Sequence, residues 1–221
     1  MTARFWITIA LVAMLAACET KEKGEDKGTD EAQAEKTGGA PGDESGEAKK
    51  PEEKEQAASD MPAELMTDEI AEYQCGDIRN VHTYQGFVFA GQPNAEDLKI
   101  AKEKGIKTVL NLRPDSELKD FDEKAAAQEA GLEYIHLPFA GADELTDEVF
   151  DQAREILSTV ERPVLFHCGS ANRVGTLWMA YRAIDGGLSL EEAMAEAKTV
   201  GMRSPQYEEK AKNYVQRKKG E

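Results

Sequence analysis

The chain has 221 residues, with 27 lysines and arginines against 43 aspartates and glutamates and a formal net charge of -16. That length suits one domain or two small ones, and the acidic excess argues against nucleic acid as a partner, because phosphate backbones reward a basic surface. Three cysteines exclude a disulfide-stapled miniprotein, and three histidines leave little material for a zinc site, so neither a metal nor another cofactor is expected.

After Met1 to Arg4 come thirteen uncharged, nearly all apolar residues, 5–17, which match a secretory h-region in length and flank. They fall short of the roughly 18 to 20 apolar residues that a spanning helix needs. Leu15, Ala16, Ala17 and Cys18 then resemble a bacterial lipobox, in which the cysteine is acylated and becomes the new N-terminus. The resemblance implies a signal peptide over residues 1–18, lipidation of Cys18 and a membrane partner reached through that anchor. Glu19 after the cysteine favours the periplasmic face of the outer membrane, with the inner membrane and the cell surface left open. The plain alternative is an ordinary signal peptide, or a short retained anchor, with an incidental cysteine.

Residues 19–60 contain no Val, Ile, Leu, Met, Phe, Tyr or Trp, and fourteen acidic residues stand against seven basic ones. With no apolar surface to offset ordering entropy, this stretch reads as an acidic tether, here bounded at residue 66, with a folded domain over 67–221.

Within that domain strand-like runs alternate with amphipathic helical ones, which predicts an α/β fold with a central, mainly parallel sheet flanked by helices. Residues 87–90 read as a strand ending at Gly91. Asn94 is placed to cap a helix carrying Leu98 and Ala101, and Gly105 suits its left-handed end. A strand at 108–112, a helix over 117–130 closed by Gly131 and a strand at 134–139 follow. Thr146 opens a helix with Val149, Phe150, Ala153, Ile156 and Leu157 on one face, and Pro163 leads into the strand 164–167.

The sequence after that strand reads His167, Cys168, Gly169, Ser170, Ala171, Asn172, Arg173, Val174, Gly175, Thr176, and continues with Leu177, Trp178, Tyr181 and Ile184 at helical spacing. A strand, a tight loop and a helix N-terminus are the parts of an anion cradle, since amides at the start of a helix lack intrahelical acceptors and carry the positive end of the dipole. The same field acidifies a thiol, and the thiolate is the nucleophile. Arg173 brings a planar, permanently charged fork able to hold two oxygens of one phosphoryl group.

This stretch resembles the cysteine-based protein tyrosine and dual-specificity phosphatases, whose signature is His-Cys, five residues and Arg between a strand and a helix. Gly91-Gln92-Pro93 and the run from Gly105 to Pro114 further resemble the bacterial dual-specificity-type branch that includes the beta-lactamase-hydrolase-associated phosphatase-like domains. The likeness covers about residues 80–200. It implies a dual-specificity-phosphatase-like fold and metal-free hydrolysis of a phosphate monoester, on a phosphoprotein or a small molecule, with Cys168 as nucleophile and Arg173 stabilising the transferring group. Gly169, Ser170, Ala171, Asn172, Val174 and Thr176 would surround the phosphate, and His167 would orient the loop. One departure stands out: four residues separate Cys168 from Arg173 where the family has five, so Val174 occupies the usual arginine position.

The family also supplies an acid to protonate the leaving group. Asp143, directly after a predicted strand, is the first candidate, with Asp115 and Glu144 competing. Ser170 and Thr176 are candidates for the hydroxyl that supports the thiolate, and Gly175 for close backbone approach to the anion. Cys75 leaves open a disulfide with Cys168. His82 and His136 read as sheet-edge residues, Trp178 and Tyr181 as core, Ser189 to Glu192 as a capping box, and Lys210, Lys212, Arg217, Lys218 and Lys219 as a solvated helix end. Two other readings remain open, a phosphatase-like module that binds anions without turnover and a rhodanese-type sulfurtransferase.

Overall fold

A computed structural model describes residues 61–119 and 121–220. The leader, Cys18 and residues 19–60 of the tether lie outside the described residues, as does Asp120. The packed chain takes in Leu65, which is fully buried and whose carbonyl accepts from Gly86 N–H at 2.7 Å.

Six strands form one sheet: β1 (Ala71–Glu72), β2 (His82–Tyr84), β3 (Phe87–Ala90), β4 (Thr108–Asn111), β5 (Glu133–His136) and β6 (Val164–His167). They lie in the order β1-β2-β3-β6-β4-β5. β1, β2 and β3 pair antiparallel, and β3, β6, β4 and β5 pair parallel. The expected mainly parallel α/β sheet is therefore present, with an antiparallel extension at one edge. Every residue of β3, β4 and β6 is buried, because helices cover both faces and a parallel sheet so covered reads as continuous apolar runs.

One face is covered by α1 (Ala95–Glu103) and α2 (Glu123–Glu129), which pack Leu98, Ala101 and Ala127 on Val88, Val109 and Leu165. The other carries α3 (Asp147–Thr159), α4 (Asn172–Ile184), α5 (Leu190–Val200) and α6 (Pro205–Lys219) around Phe89, Phe166 and Trp178. The two clusters separate the cysteines. Cys75 lies in the α1–α2 core and Cys168 in the other, and both are free thiols, so the disulfide left open by the sequence is not formed.

Local chemistry sets the element ends. Asn94 and Asp97 form a capping box on α1, Ser189 and Glu192 another on α5, and Gly105 closes α1 at φ +85°. The helix predicted over 117–130 begins instead at Glu123, because Asp122 is its N-cap and accepts from Ala125 N–H at 3.0 Å. Upstream, Asp115–Glu117 forms a single 3₁₀ turn after Pro114. The strand predicted at 134–139 stops at His136, since Pro138 has no N–H to continue the ladder. Leu137 and Phe139 still donate to Asn111 and Leu112 carbonyls at 3.0 and 3.3 Å, which carries Phe139 to the carboxyl end of β4.

Gly175 serves helix packing rather than an anion. A Cβ there would lie 2.5 Å from the Ala197 carbonyl oxygen and 2.8 Å from Met202 N, so the missing side chain lets α4 and α5 meet backbone to backbone. The basic end of α6 is largely solvated, with Arg217 and Lys218 paired to Asp147 and Asp151.

Candidate active site

Loops at the carboxyl ends of neighbouring parallel strands converge on one crevice, and here those of β3, β6, β4 and β5 do so. β6 delivers Cys168, which is still tied to β3 by its amide on the Ala90 carbonyl at 3.3 Å and is 1% exposed. Ser170 bridges to Gly91, and Ala171 takes a left-handed conformation, φ 64°, to turn the chain into α4. Gly175 N–H donates to Ala171 O at 2.9 Å as the first helical bond. The amides of Asn172, Arg173 and Val174 consequently have no intrahelical acceptor and sit at the positive end of the helix dipole.

Arg173, in the first turn of α4, is 9% exposed and folds back over the loop. Its Nη1 donates to Phe139 O at 2.9 Å, to Glu117 Oε1 at 3.0 Å and more distantly to Leu112 O at 3.4 Å, while Nη2 donates to Glu117 Oε2 at 2.6 Å. These bonds occupy both Nη1 hydrogens and one on Nη2. The Nε hydrogen and the second Nη2 hydrogen share one edge of the fork, the geometry that grips two oxygens of an anion. Burial works to lower the Arg173 pKa, but Glu117, and with it the neighbouring Cys168 side chain, outweighs it and holds the cation more firmly than usual.

Glu117 was not legible in the sequence, yet it clamps this arginine and also accepts from Arg113 Nε at 3.2 Å. Burial would raise its pKa, and the bonds and charges of Arg173 and then Arg113 reverse that and hold the carboxyl below its ordinary value. Tyr207, from the first turn of α6, closes the same side, with its ring edge-on to Phe139 at 6.1 Å. Burial pushes its phenol up, partly offset by Arg173 and by the Gly141 backbone.

His167, immediately before Cys168, is bonded to Glu123 in the interior rather than to an atom of the loop. Its Nε2 lies 2.8 Å from Glu123 Oε1, both side chains are fully buried, and Gln92 Nε2 donates to the other Glu123 oxygen at 2.6 Å. Burial would raise the Glu123 pKa; the charge and hydrogen bond of His167, then Gln92, bring it below the ordinary range.

Several predicted site residues take different parts. Thr176 is fully buried and its hydroxyl donates to Asn172 O at 2.8 Å, the back-bond of a helical threonine, so it neither lines the crevice nor faces the sulfur. The Ser170 hydroxyl is engaged by Arg203. The Val174 side chain is core, which leaves its amide for an anion. Asn172 anchors the turn beyond α5, accepting from Arg203 and Ser204 amides at 2.7 and 3.2 Å through Oδ1.

Asp143 is exposed in the turn at 141–144, between Gly141, which meets Tyr207, and Leu145 in the core. Glu144 is committed to the Ala140 amide, and the Asp115 side chain is 93% exposed, 4.0 Å from His136 Nδ1. His82 and His136 lie on β2 and β5, and among the described residues no group of three or more His, Cys, Asp or Glu is placed to hold a metal ion.

Comparison with known proteins bears on the same region. Residues 77–185 match the family model of the phosphatase-like domain of beta-lactamase hydrolase-like proteins. The beta-lactamase hydrolase-like protein of Xylella fastidiosa (strain 9a5c) is 31% identical over 122 residues, which are 53% of this chain and 28% of that protein. That of Agrobacterium fabrum is 29% identical over 128 residues, 56% of this chain and 30% of that protein. The chain thus spans under a third of the length of these relatives. Among solved structures, TpbA of P. aeruginosa superposes with a TM-score of 0.52 at 24% identity, covering 66% of this chain and 88% of that one. A second TpbA structure, a Cys-to-Ser variant in complex with pTyr, gives 0.51 at 24%, covering 66% and 87%. The fold is that of dual-specificity-type phosphatases, and residues 77–185 are similar to a phosphatase-like domain.

Proposed function

We propose that the chain is a cysteine-dependent phosphatase that hydrolyses phosphate monoesters through a cysteinyl-phosphate. The observation that carries this is the guanidinium of Arg173, fixed by Glu117 and Phe139 O with one edge of its fork bonded to no oxygen of the described residues, beside Cys168 at the amide end of α4.

The steps follow from that geometry. An incoming phosphoryl group takes two hydrogen bonds from Arg173 and others from the amides of the loop and the first turn of α4. The Cys168 thiolate attacks phosphorus, the P–S bond forms as the P–O bond to the leaving group breaks, and Asp143 gives the departing oxygen its proton. Charge spreading over the equatorial oxygens meets the helix dipole and Arg173, which are in place before the reaction starts. Water then attacks phosphorus and gives a proton to the Asp143 carboxylate as the P–S bond breaks, so inorganic phosphate leaves and both the thiolate and the acid are restored. The shortened loop is compatible with these roles because Arg173, one position earlier than in the family pattern, reaches its partners from the first turn of the helix. A protein of this fold that holds pTyr makes aryl phosphates apt first substrates.

Full-length protein should release phosphate from p-nitrophenyl phosphate, and Cys168→Ser should abolish it. Asp143→Asn should cost little with that acidic phenol and about 10²-fold or more with alkyl phosphates, whose alkoxides need the proton. Release that survives in Cys168→Ser would disprove the mechanism, and equal losses on both substrate types would remove Asp143 from it.

The leader supports a further part of this reading, anchorage by acylated Cys18 at the periplasmic face of the outer membrane. No helix among the described residues is long and apolar enough to cross a membrane. Metabolic labelling with palmitate should mark the wild-type chain and not Cys18→Ser; equal labelling of both would refute the anchor.

A further inference from the structure

The arginines of this acidic chain divide into two groups. Arg113 and Arg173 pair with Glu117, Arg154 with Asp151 and Asp185, Arg182 with Glu196, and Arg217 with Asp147. Arg162 donates to Gln85 O and lies over the Phe87 ring. Among the described residues Arg162, Arg79 and Arg203 have no carboxylate partner, although acids outnumber bases in the sequence by 43 to 27, and of these Arg79 and Arg203 lie beside the phosphate loop. Both are exposed, and both belong to segments bonded to the rim of the phosphate loop.

Arg203 is held there by its surroundings. Its amide and that of Ser204 donate to Asn172 Oδ1, which fixes the turn between α5 and α6 on the loop. Its guanidinium donates to Ser170 O at 3.1 Å, to Gly201 O at 3.2 Å and to Ser170 Oγ. From the opposite strand the carbonyl of Arg79 accepts from Gly91 N–H at 2.9 Å, and its neighbour Asn80, in a left-handed conformation with φ 55°, donates through Nδ2 to Ser170 O at 3.4 Å. Ser170 is thus the meeting point of two segments, each bringing an arginine with no carboxylate partner among the described residues. Helix α4 and Arg173 already provide for the phosphoryl group being transferred. A second, un-neutralised cation fixed on the outer side of the same loop has no role in that transfer, and every bond it makes is to a neutral oxygen.

We infer that Arg203, with Arg79 flanking it, forms a second anion subsite beside the phosphate loop, and that the substrate is a phosphate monoester carrying another anionic group, a carboxylate or a second phosphate, next to the scissile one. This deepens the phosphatase reading and rests on it for the position of the scissile group. The fork of Arg203 is bonded on its Nη atoms to neutral oxygens, which leaves its charge and its Nε hydrogen for a second anion. Since the site is exposed, the attraction is screened by salt.

The test compares three probes on full-length protein in a Cys168→Ser background, where binding is read without turnover. They are a phosphotyrosyl peptide with neutral neighbours, the same peptide with Asp and Glu beside the phosphotyrosine, and the same peptide with an adjacent phosphoserine. We expect one or both of the doubly anionic peptides to bind at least tenfold tighter than the neutral one at low salt, and the two arms decide between carboxylate and phosphate. Arg203→Ala should reduce that ratio about tenfold, as loss of a charge-assisted contact does. Arg203→Lys should restore part of it, and Arg79→Ala should reduce it less. If Arg203→Ala weakens all three peptides equally, the residue only props Ser170 and the subsite is wrong; equal affinities in the parent protein also overturn it. Preference kept without phosphate release by the Cys168 protein would instead sink the phosphatase reading alone.

Discussion

Replacing Arg173 by lysine should lower kcat/KM for p-nitrophenyl phosphate by about 10³-fold, although the charge is kept. Arg173 does several things at once that an ammonium cannot. It satisfies both oxygens of Glu117, takes the Phe139 carbonyl as a third acceptor, and still presents a two-hydrogen edge to the crevice. Lysine has three donors on one nitrogen and no planar fork, so meeting Glu117 and Phe139 O leaves it a single hydrogen for the phosphoryl group. Loss of one preorganised donor to a developing oxyanion costs about 10² to 10³ in kcat, and loss of an arginine at a transferring phosphoryl group about 10³ to 10⁵. Steady-state kinetics should place the loss mainly in kcat, because the contact strengthens as charge spreads in the transition state. A lysine variant within about tenfold of wild type would mean that Arg173 does not grip the transferring group.

The pH dependence follows from the clamp. Glu117 is held below its ordinary value, so the ion pair is complete above the usual glutamate range, near about 4.3, and comes apart as pH falls through its depressed value. Loss of activity on the acid side between the two values therefore belongs to other groups, and Glu117→Gln should leave that limb in place while reducing the rate throughout.

The loop itself was legible because three local signals coincide there. A four-residue apolar strand ends in His-Cys, small residues follow, and a helical stripe containing Leu177, Trp178 and Tyr181 starts at once. Each rests on neighbours in sequence, as do the capping residues Asn94 and Ser189 and the left-handed Gly105. What surrounds the loop was not legible, because it is assembled across the sheet. Glu117 comes from the turn after β4, Glu123 from the first turn of α2 and Arg203 from the turn between α5 and α6, and among 43 acids nothing local marks the two glutamates. Glu117 could be suspected only from its place after a central parallel strand, and Arg203 only from the turn after a helix packed on α4. Thr176 was misread for the converse reason. Adjacency to a motif suggested a role, while helical geometry turned its hydroxyl to Asn172 O.

The largest effect on stability is expected at the base of the site. Glu123→Ala should destabilise the domain by about 3 to 5 kcal/mol, because removal of one member of a buried pair strands the other. His167 and Glu123 are both fully buried at 2.8 Å, and Glu123 is also the acceptor for Gln92 Nε2, so the variant leaves two polar groups without their partner in the interior. For a domain of this size that corresponds to a fall in Tm of about 10 °C, measurable by calorimetry. Glu123→Gln retains an acceptor and should recover part of it. The two variants also separate by pH. The Glu123 carboxyl is depressed in the folded state, so its ionic contribution is present above the ordinary glutamate range and is lost as pH falls through the folded value. Wild-type Tm should accordingly drop more steeply on acidification than that of Glu123→Gln. Parallel curves for the two proteins would show that the bond to His167 holds no charge, and would leave the loop below Cys168 supported by hydrogen bonding and packing alone.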